Sequence, residues 1–249
     1  MASINPEELL LAYRLGIFPM AESRRAKDVL WVRPHERGIL PLETFHVPRR
    51  LARAVRNDRF QVRVDTAFSQ VIRGCAEARQ GRRETWINDA IIEVFEALAE
   101  RRQAHSVECW YEGKLVGGLY GLSLAGAFFA ESKFSRMTDA SKVALVHLAA
   151  RLKAGGYTLL DAQFPNPHLE QFGATTVTEE RFQQLLATAL TKTGDFYGFG
   201  SGRSGGVAGA AVAGAAEAAP AGAGPAPTGA GAAPAVAGSS VLQVITQTS

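Results

Sequence analysis

The order of predicted elements points to an α+β fold, and three observations carry that reading. Two apolar-rich strands, 106–111 and 115–122, are joined through Glu112-Gly113, an antiparallel hairpin signal, and a third strand follows at 127–132. A long helical stretch opening at Thr138-Asp139 and ending at Gly155-Gly156 separates that run from a further strand at 157–161. Helices precede the hairpin, and a final strand–helix unit closes the pattern.

Taken in order, Asn5-Pro-Glu-Glu8 gives the cap, first-turn proline and first-turn acids of a helix that Gly16 closes. Ile17-Phe-Pro-Met20 is an apolar turn, and residues 30–41 alternate short apolar runs with turn residues, as short strands and loops do. Pro48 starts a second helix carrying Arg49, Arg50, Arg53, Arg56 and Arg59; of these, Arg49, Arg53 and Arg56 follow helical spacing and share a face. A strand is expected at 60–65, a helix to about residue 78, a charged loop through Arg83, and a helix over 89–102. The helix after Asp139 reads as long and amphipathic. Beyond 157–161 come a short Pro-rich helical segment, then 172–177 leading into a helix capped by Thr178.

Three regions follow: a small N-terminal module over 1–46, a main domain over 47–200, and an Ala/Gly-rich tail over 201–249. From 201 to 240 roughly two-thirds of the residues are Ala or Gly, too little apolar surface to offset ordering entropy, so this tail is expected to be disordered. It ends in a β-prone run, 241–249, read either as a strand added to a sheet edge or as a frayed terminus. The tail holds one Arg and one Glu, so the net charge of +3 belongs to the folded body. Cys75 and Cys109 lack metal or redox spacing and read as reduced core thiols. Leu9-Leu-Leu-Ala12 is soon interrupted by Arg14 and Gly16, so no leader or membrane span is expected and a cytoplasmic setting is.

Chemistry concentrates in two places. Phe128-Phe-Ala-Glu-Ser-Lys133 puts Glu131 into an aromatic, apolar strand, and Leu160-Asp-Ala-Gln163 puts an acid and an amide two residues apart. Period-2 alternation would aim Asp161 and Gln163 the same way and Ala162 the other. Polar groups in such surroundings cost several kcal/mol (about 2–7) unless paired, which marks a candidate site. Asp161 reads either as a functional acid or as a cap for the segment after it. Glu131 reads either as a substrate-facing anion or as half of a buried pair with Lys133, Arg136 or Lys142. The arginine face is either a phosphate-binding surface or a solvated one, with Arg79, Arg82 and Arg83 a second basic patch.

Tyr13-Arg-Leu-Gly-Ile-Phe-Pro19, Thr85-Trp-Ile87, Val116-Gly-Gly-Leu-Tyr-Gly121, Glu131-Ser-Lys-Phe-Ser-Arg-Met137, Ala140-Ser-Lys142 and Leu160-Asp-Ala-Gln163 together resemble the leucyl/phenylalanyl-tRNA–protein transferases, in order and spacing, over about residues 8–190. The resemblance implies a GNAT-like acyltransferase domain behind a small N-terminal module. It implies transfer of Leu or Phe, with Met a further candidate, from aminoacyl-tRNA to the N-terminal Arg or Lys of a protein, marking that protein for degradation by the N-degron route. It places Asp161 and Gln163 where the peptide bond forms, and Met20, Trp86, Leu119, Phe128, Glu131, Leu148 and Leu160 around the aminoacyl-adenosine. Met20 stands where other members can have tryptophan. With such a donor the charged helix face reads as tRNA contacts through Arg49, Arg53 and Arg56, and no cofactor, no metal and a monomer are expected. The short N-terminal module and the Ala/Gly tail depart from the pattern.

This chemistry suits the residues. An aminoacyl ester is already activated, and an α-amino group with a pKa of about 7.7–8.0 is partly neutral at pH 7. Alignment supplies up to ~7–11 kcal/mol, so a carboxylate and an amide suffice, with Gln163 holding the amine and Asp161 polarising Gln163. That scheme requires both side chains to reach an opening. A coenzyme A-dependent acetyltransferase would need a Gly-rich phosphate loop before the long helix, where this chain reads Phe134-Ser-Arg-Met-Thr-Asp-Ala-Ser141. A non-catalytic RNA-binding module would leave Asp161, Gln163 and Glu131 without a role.

Overall fold

Local capping starts the chain as expected. In a computed structural model describing residues 4–77, 84–199 and 235–247, Asn5 accepts from the Glu7 N–H at 2.8 Å and Pro6 opens α1 (Pro6–Arg14). Leu9, Leu10 and Tyr13 form its buried stripe. Strands β1 (Phe18–Met20) and β2 (Leu30–Val32) make a small antiparallel pair. The remaining elements are β3 (Glu36–Ile39), α2 (Arg49–Arg56), β4 (Gln61–Val64), α3 (Phe68–Ala76), α4 (Asp89–Glu100), β5 (Ala104–Tyr111), β6 (Lys114–Leu124), β7 (Ala127–Ser135), α5 (Ala140–Ala154), β8 (Leu159–Asp161), α6 (Pro167–Glu170), β9 (Thr175–Thr178), α7 (Glu179–Leu190) and α8 (Gly238–Thr246).

Seven strands form one mixed sheet in the order β4-β5-β6-β7-β8-β3-β9. From β4 to β7 the pairing is antiparallel; α5 then crosses over and returns β8 parallel to β7. The fold is α+β, as expected. β3 lies on the module side of the boundary drawn at residue 46, yet it pairs inside the main sheet, between β8 and β9.

Two apolar layers sandwich the sheet. One holds side chains of α2, α5 and α8, the other those of α1, α3, α4 and α7. The expected amphipathic character of α5 is not observed: an unbroken run from Val143 to Leu152 is buried. The helix packs on β5 and β6 and is covered in turn by α2 and α8, so its middle has no water-facing side and only its ends reach solvent. Cys75 and Cys109 are both buried.

The C-terminal expectation needs a correction. Residues 238–246 are neither strand nor frayed end but the helix α8, with Val241, Leu242 and Ile245 buried against the rest of the chain. Their i, i+1, i+4 spacing makes a helical stripe, and tertiary packing overrides the β preference of Val and Ile. Lys153 holds the helix end through the Ile245 carbonyl at 3.1 Å. The Ala/Gly stretch before it, and the basic patch at Arg79, Arg82 and Arg83, lie outside the described residues. Among the described residues no helix is long and apolar enough to cross a membrane.

Candidate active site

Glu131 owes its placement to a bulge. In the β6–β7 ladder Tyr120 pairs with Ser132 and Gly121 with Ala130, so Glu131 is an extra residue with no partner opposite. Such an insertion re-aims a side chain. Its Oε1 accepts from the Tyr13 hydroxyl at 2.7 Å and from Gln163 Nε2 at 2.9 Å. Its Oε2 is buried without a hydrogen-bond partner among the described residues. Burial dominates the lowering effect of the two hydrogen bonds and pushes the carboxyl from the ordinary 4.5 up to about 7. The expected pairing with Lys133, Arg136 or Lys142 does not occur: Arg136 pairs with Glu77 and Lys142 faces Asp139.

Glu108 on β5 is the instructive contrast. Also fully buried, it accepts from Thr66, Ala67, Ser106 and Trp110, so both its oxygens are satisfied and it serves the fold. Glu131 retains an oxygen with no partner among the described residues.

Asp161 ends β8 opposite Ile39 of β3. Two residues before Ile39, Arg37 grips it with Nε at 2.9 Å and Nη2 at 2.6 Å, a bidentate pair sealed from solvent. The guanidinium also donates from Nη1 to the Gly16 carbonyl at 2.9 Å and lies 4.7 Å and 4.3 Å from the Phe18 and Phe182 ring centres. Asp161 Oδ1 accepts the Gln163 backbone N–H at 2.8 Å, and Gln163 adopts φ +65°. Gly38 bonds both Ala162 and Gln163 backbones, and a Cβ there would lie 2.6 Å from the Phe164 carbonyl oxygen. Only glycine lets this turn press onto β3.

Two expectations fail at this point. Strand alternation stops at Asp161, so Gln163 reaches Glu131 from a left-handed turn rather than by sharing a strand face with Asp161. Asp161 does not reach an opening and does not polarise the Gln163 amide; it holds the Gln163 backbone, which resembles the capping alternative. The Gln163 side chain does touch the site: its Oε1 accepts no bond from any described residue and keeps some access to solvent.

Parallel pairing of β7 with β8 covers only Ala127↔Leu159 to Phe129↔Asp161. Past it lies a cavity of about 280 Å³ whose walls include Leu119, Glu131, Lys133, Leu145, Ala162 and Asn166. Leu119 and Glu131 both line it, with the Glu131 carboxylate turned to Tyr13 of the other apolar layer. Phe128, Leu148 and Leu160 are nearly fully buried in the apolar layer that also contains Leu119 and Leu145, behind that lining. Met20 and Trp86 are neighbours, through the Ala21 N–H to Trp86 carbonyl bond at 2.9 Å, but pack into the layer on the opposite face of the sheet. Arg49, Arg53 and Arg56 are all exposed on α2. Arg53, with Arg50 and Arg59, lines an open groove that also contains Asp139. Sequence reasoning missed Arg37 and the role of Tyr13. Arg37 gives only the faint signal of a charge beside Gly38-Ile-Leu40, whereas Tyr13 already stood inside a quoted motif.

A buried acid near neutrality in the lining of a cavity, with one oxygen unpartnered among the described residues and the other held by an amide whose turn is fixed by a sealed ion pair, is the architecture of an enzyme site. Comparison with known proteins identifies which one. The leucyl/phenylalanyl-tRNA protein transferase family matches residues 39–187, and the N-terminal domain of that family matches residues 2–35. The chain is 56% identical over 196 residues to the leucyl/phenylalanyl-tRNA–protein transferase of Paramagnetospirillum magneticum, covering 79% of this chain and 94% of that one. It is 54% identical to that of Phenylobacterium zucineum (81% and 91% covered) and 53% identical to that of Caulobacter vibrioides (80% and 92%). The chain belongs to the leucyl/phenylalanyl-tRNA–protein transferase family, and it is an enzyme.

Proposed function

We propose that this enzyme transfers Leu or Phe, with Met a further candidate donor, from aminoacyl-tRNA to the N-terminal Arg or Lys of acceptor proteins, forming a peptide bond that marks them for degradation. Family membership supports the aminoacyl transfer from tRNA to protein. The single observation that carries the chemistry is Glu131, a cavity-lining residue whose Oε1 accepts from the Gln163 amide and whose buried Oε2 has no partner among the described residues.

In this reading the neutral α-amine attacks the ester carbonyl carbon. The new C–N bond forms, the ester C–O bond breaks, and the ribose hydroxyl departs. Glu131, close to neutrality, takes the amine proton and returns it to the leaving oxygen. Gln163 Oε1 accepts from the amine and orients it. Asp161 and Arg37 act one step back, fixing the turn that presents Gln163. Leu119 and Leu145 give the cavity its apolar lining, which favours an unbranched or γ-branched side chain; a misplaced methylene costs about 1–3 kcal/mol. Arg49, Arg53 and Arg56 supply sequence-tolerant phosphate contacts.

The sheet is proposed to be of GNAT type, a reading supported by the antiparallel run, the α5 crossover and the cavity beyond the short parallel pair. Transfer of radiolabelled leucine from charged tRNA to an Arg-ended peptide tests the function. Label should enter Arg- and Lys-ended peptides and not an otherwise equal Ala-ended one. Equal labelling of all three would overturn the acceptor assignment.

A further inference from the structure

Lys133 is an anomaly in this wall. It stands on β7 opposite Leu119, two residues beyond the bulge, and is only partly exposed. It forms no hydrogen bond or ion pair with any described residue. An ammonium removed from much of its water and left without a counter-charge marks a place where an anion is missing. Its surroundings are cationic as well: burial and the nearby Lys142 both lower its pKa. Glu131 lines the same cavity but makes no ion pair with it.

Cationic groups lead to this point from the arginine helix. Arg53 and Arg50 share one groove; Arg50 and Lys142 share the next; Lys133 lies at the cavity itself. Asp139 is the acid on this path, 3.8 Å from Arg50 and 3.6 Å from Lys142, and it leaves Lys133 uncompensated. At about 280 Å³ the cavity is at the small end for ligand sites, with room for an aminoacyl group but not for a whole nucleotide as well. The phosphate therefore belongs at the rim, where the charge is.

We propose that Lys133, backed by Lys142, holds the 5′-phosphate of the donor's terminal nucleotide and so sets the depth at which the aminoacyl ester enters the cavity. This rests on the reading of the donor as aminoacyl-tRNA. A lysine is suited to the task, being a compact point charge for a phosphate oxygen.

The test uses the full chain and two stable donor mimics, 3′-phenylalanylamido-3′-deoxyadenosine with and without a 5′-phosphate, with binding measured by calorimetry. The phosphate should tighten binding to the wild type about tenfold, and the gain should shrink in high salt. In Lys133→Met the gain should vanish while the unphosphorylated mimic binds as before; Lys133→Arg should restore part of it. An equal gain in wild type and Lys133→Met would overturn the proposal, and so would an equal loss of both mimics in that variant. If neither mimic binds the wild type, the aminoacyl-tRNA reading fails and this inference falls with it, an outcome distinct from the other two.

Discussion

Replacing Glu131 by Gln separates charge from shape at the centre of the site. Both hydrogen bonds reaching the carboxylate end on Oε1, so a glutamine with its carbonyl oxygen in that place satisfies Tyr13 and Gln163 alike. Only the unpartnered Oε2 changes, to an amide nitrogen. The acid sits at about 7 in place of the ordinary 4.5, so ionising it in the folded protein costs about 3 kcal/mol at ~1.4 kcal/mol per unit. Because the folded value is raised, the stability linked to this group is complete below about pH 4.5 and is lost as pH rises through about 7. Glu131→Gln does not ionise. Its melting temperature should match the wild type at pH 4.5 and exceed it by several degrees at pH 8.

The rate should move the other way. Losing a general base costs about 10²–10⁴-fold, read in a single-turnover transfer assay with saturating charged tRNA and peptide. The wild-type rate should climb as pH passes through 7, and the variant should keep only the limb set by the acceptor amine near 8. A variant as fast as the wild type would refute Glu131 as the base. A variant less stable than the wild type at pH 8 would refute the account of its burial.

Other consequences follow from the same geometry. Arg37→Met leaves Asp161 charged and sealed, so it should cost about 3–5 kcal/mol in urea unfolding; a loss below 1 kcal/mol would mean the pair is not sealed. Leu148→Ala, in the fully buried middle of α5, should cost about 2–5 kcal/mol in the same measurement while leaving the Leu-to-Phe donor ratio unchanged; a shifted ratio would put Leu148 on the cavity wall instead. Arg53→Glu should weaken tRNA binding and reduce its salt slope by about one, with unchanged binding contradicting a phosphate role.

Much of the architecture was legible because its signals are local. Asn5-Pro6, Glu112-Gly113 and Thr178 each carry a cap or turn that needs no distant partner, and the strand runs of β5 to β7 are long and apolar. What escaped depends on contacts remote in sequence. Arg37 and Asp161 are 124 residues apart, and Tyr13 and Glu131 are 118 apart, so no periodicity announces either pair. The Gln163 turn escaped because strand alternation, extended from Asp161 to Gln163, runs two residues past the end of β8. α8 was misread because a short Val/Ile-rich run satisfies both periods, and only the apolar cover over α5 decides between them.

The whole account turns on where the ester and the amine meet. A crystal structure with the stable phenylalanyl-adenosine mimic settles this most directly. The carbonyl carbon of the mimic should lie in the cavity beyond the β7–β8 pair, with the Gln163 amide and Glu131 Oε2 within about 4 Å of where the amine attacks. A mimic whose carbonyl carbon lies away from both Glu131 and Gln163 would contradict it.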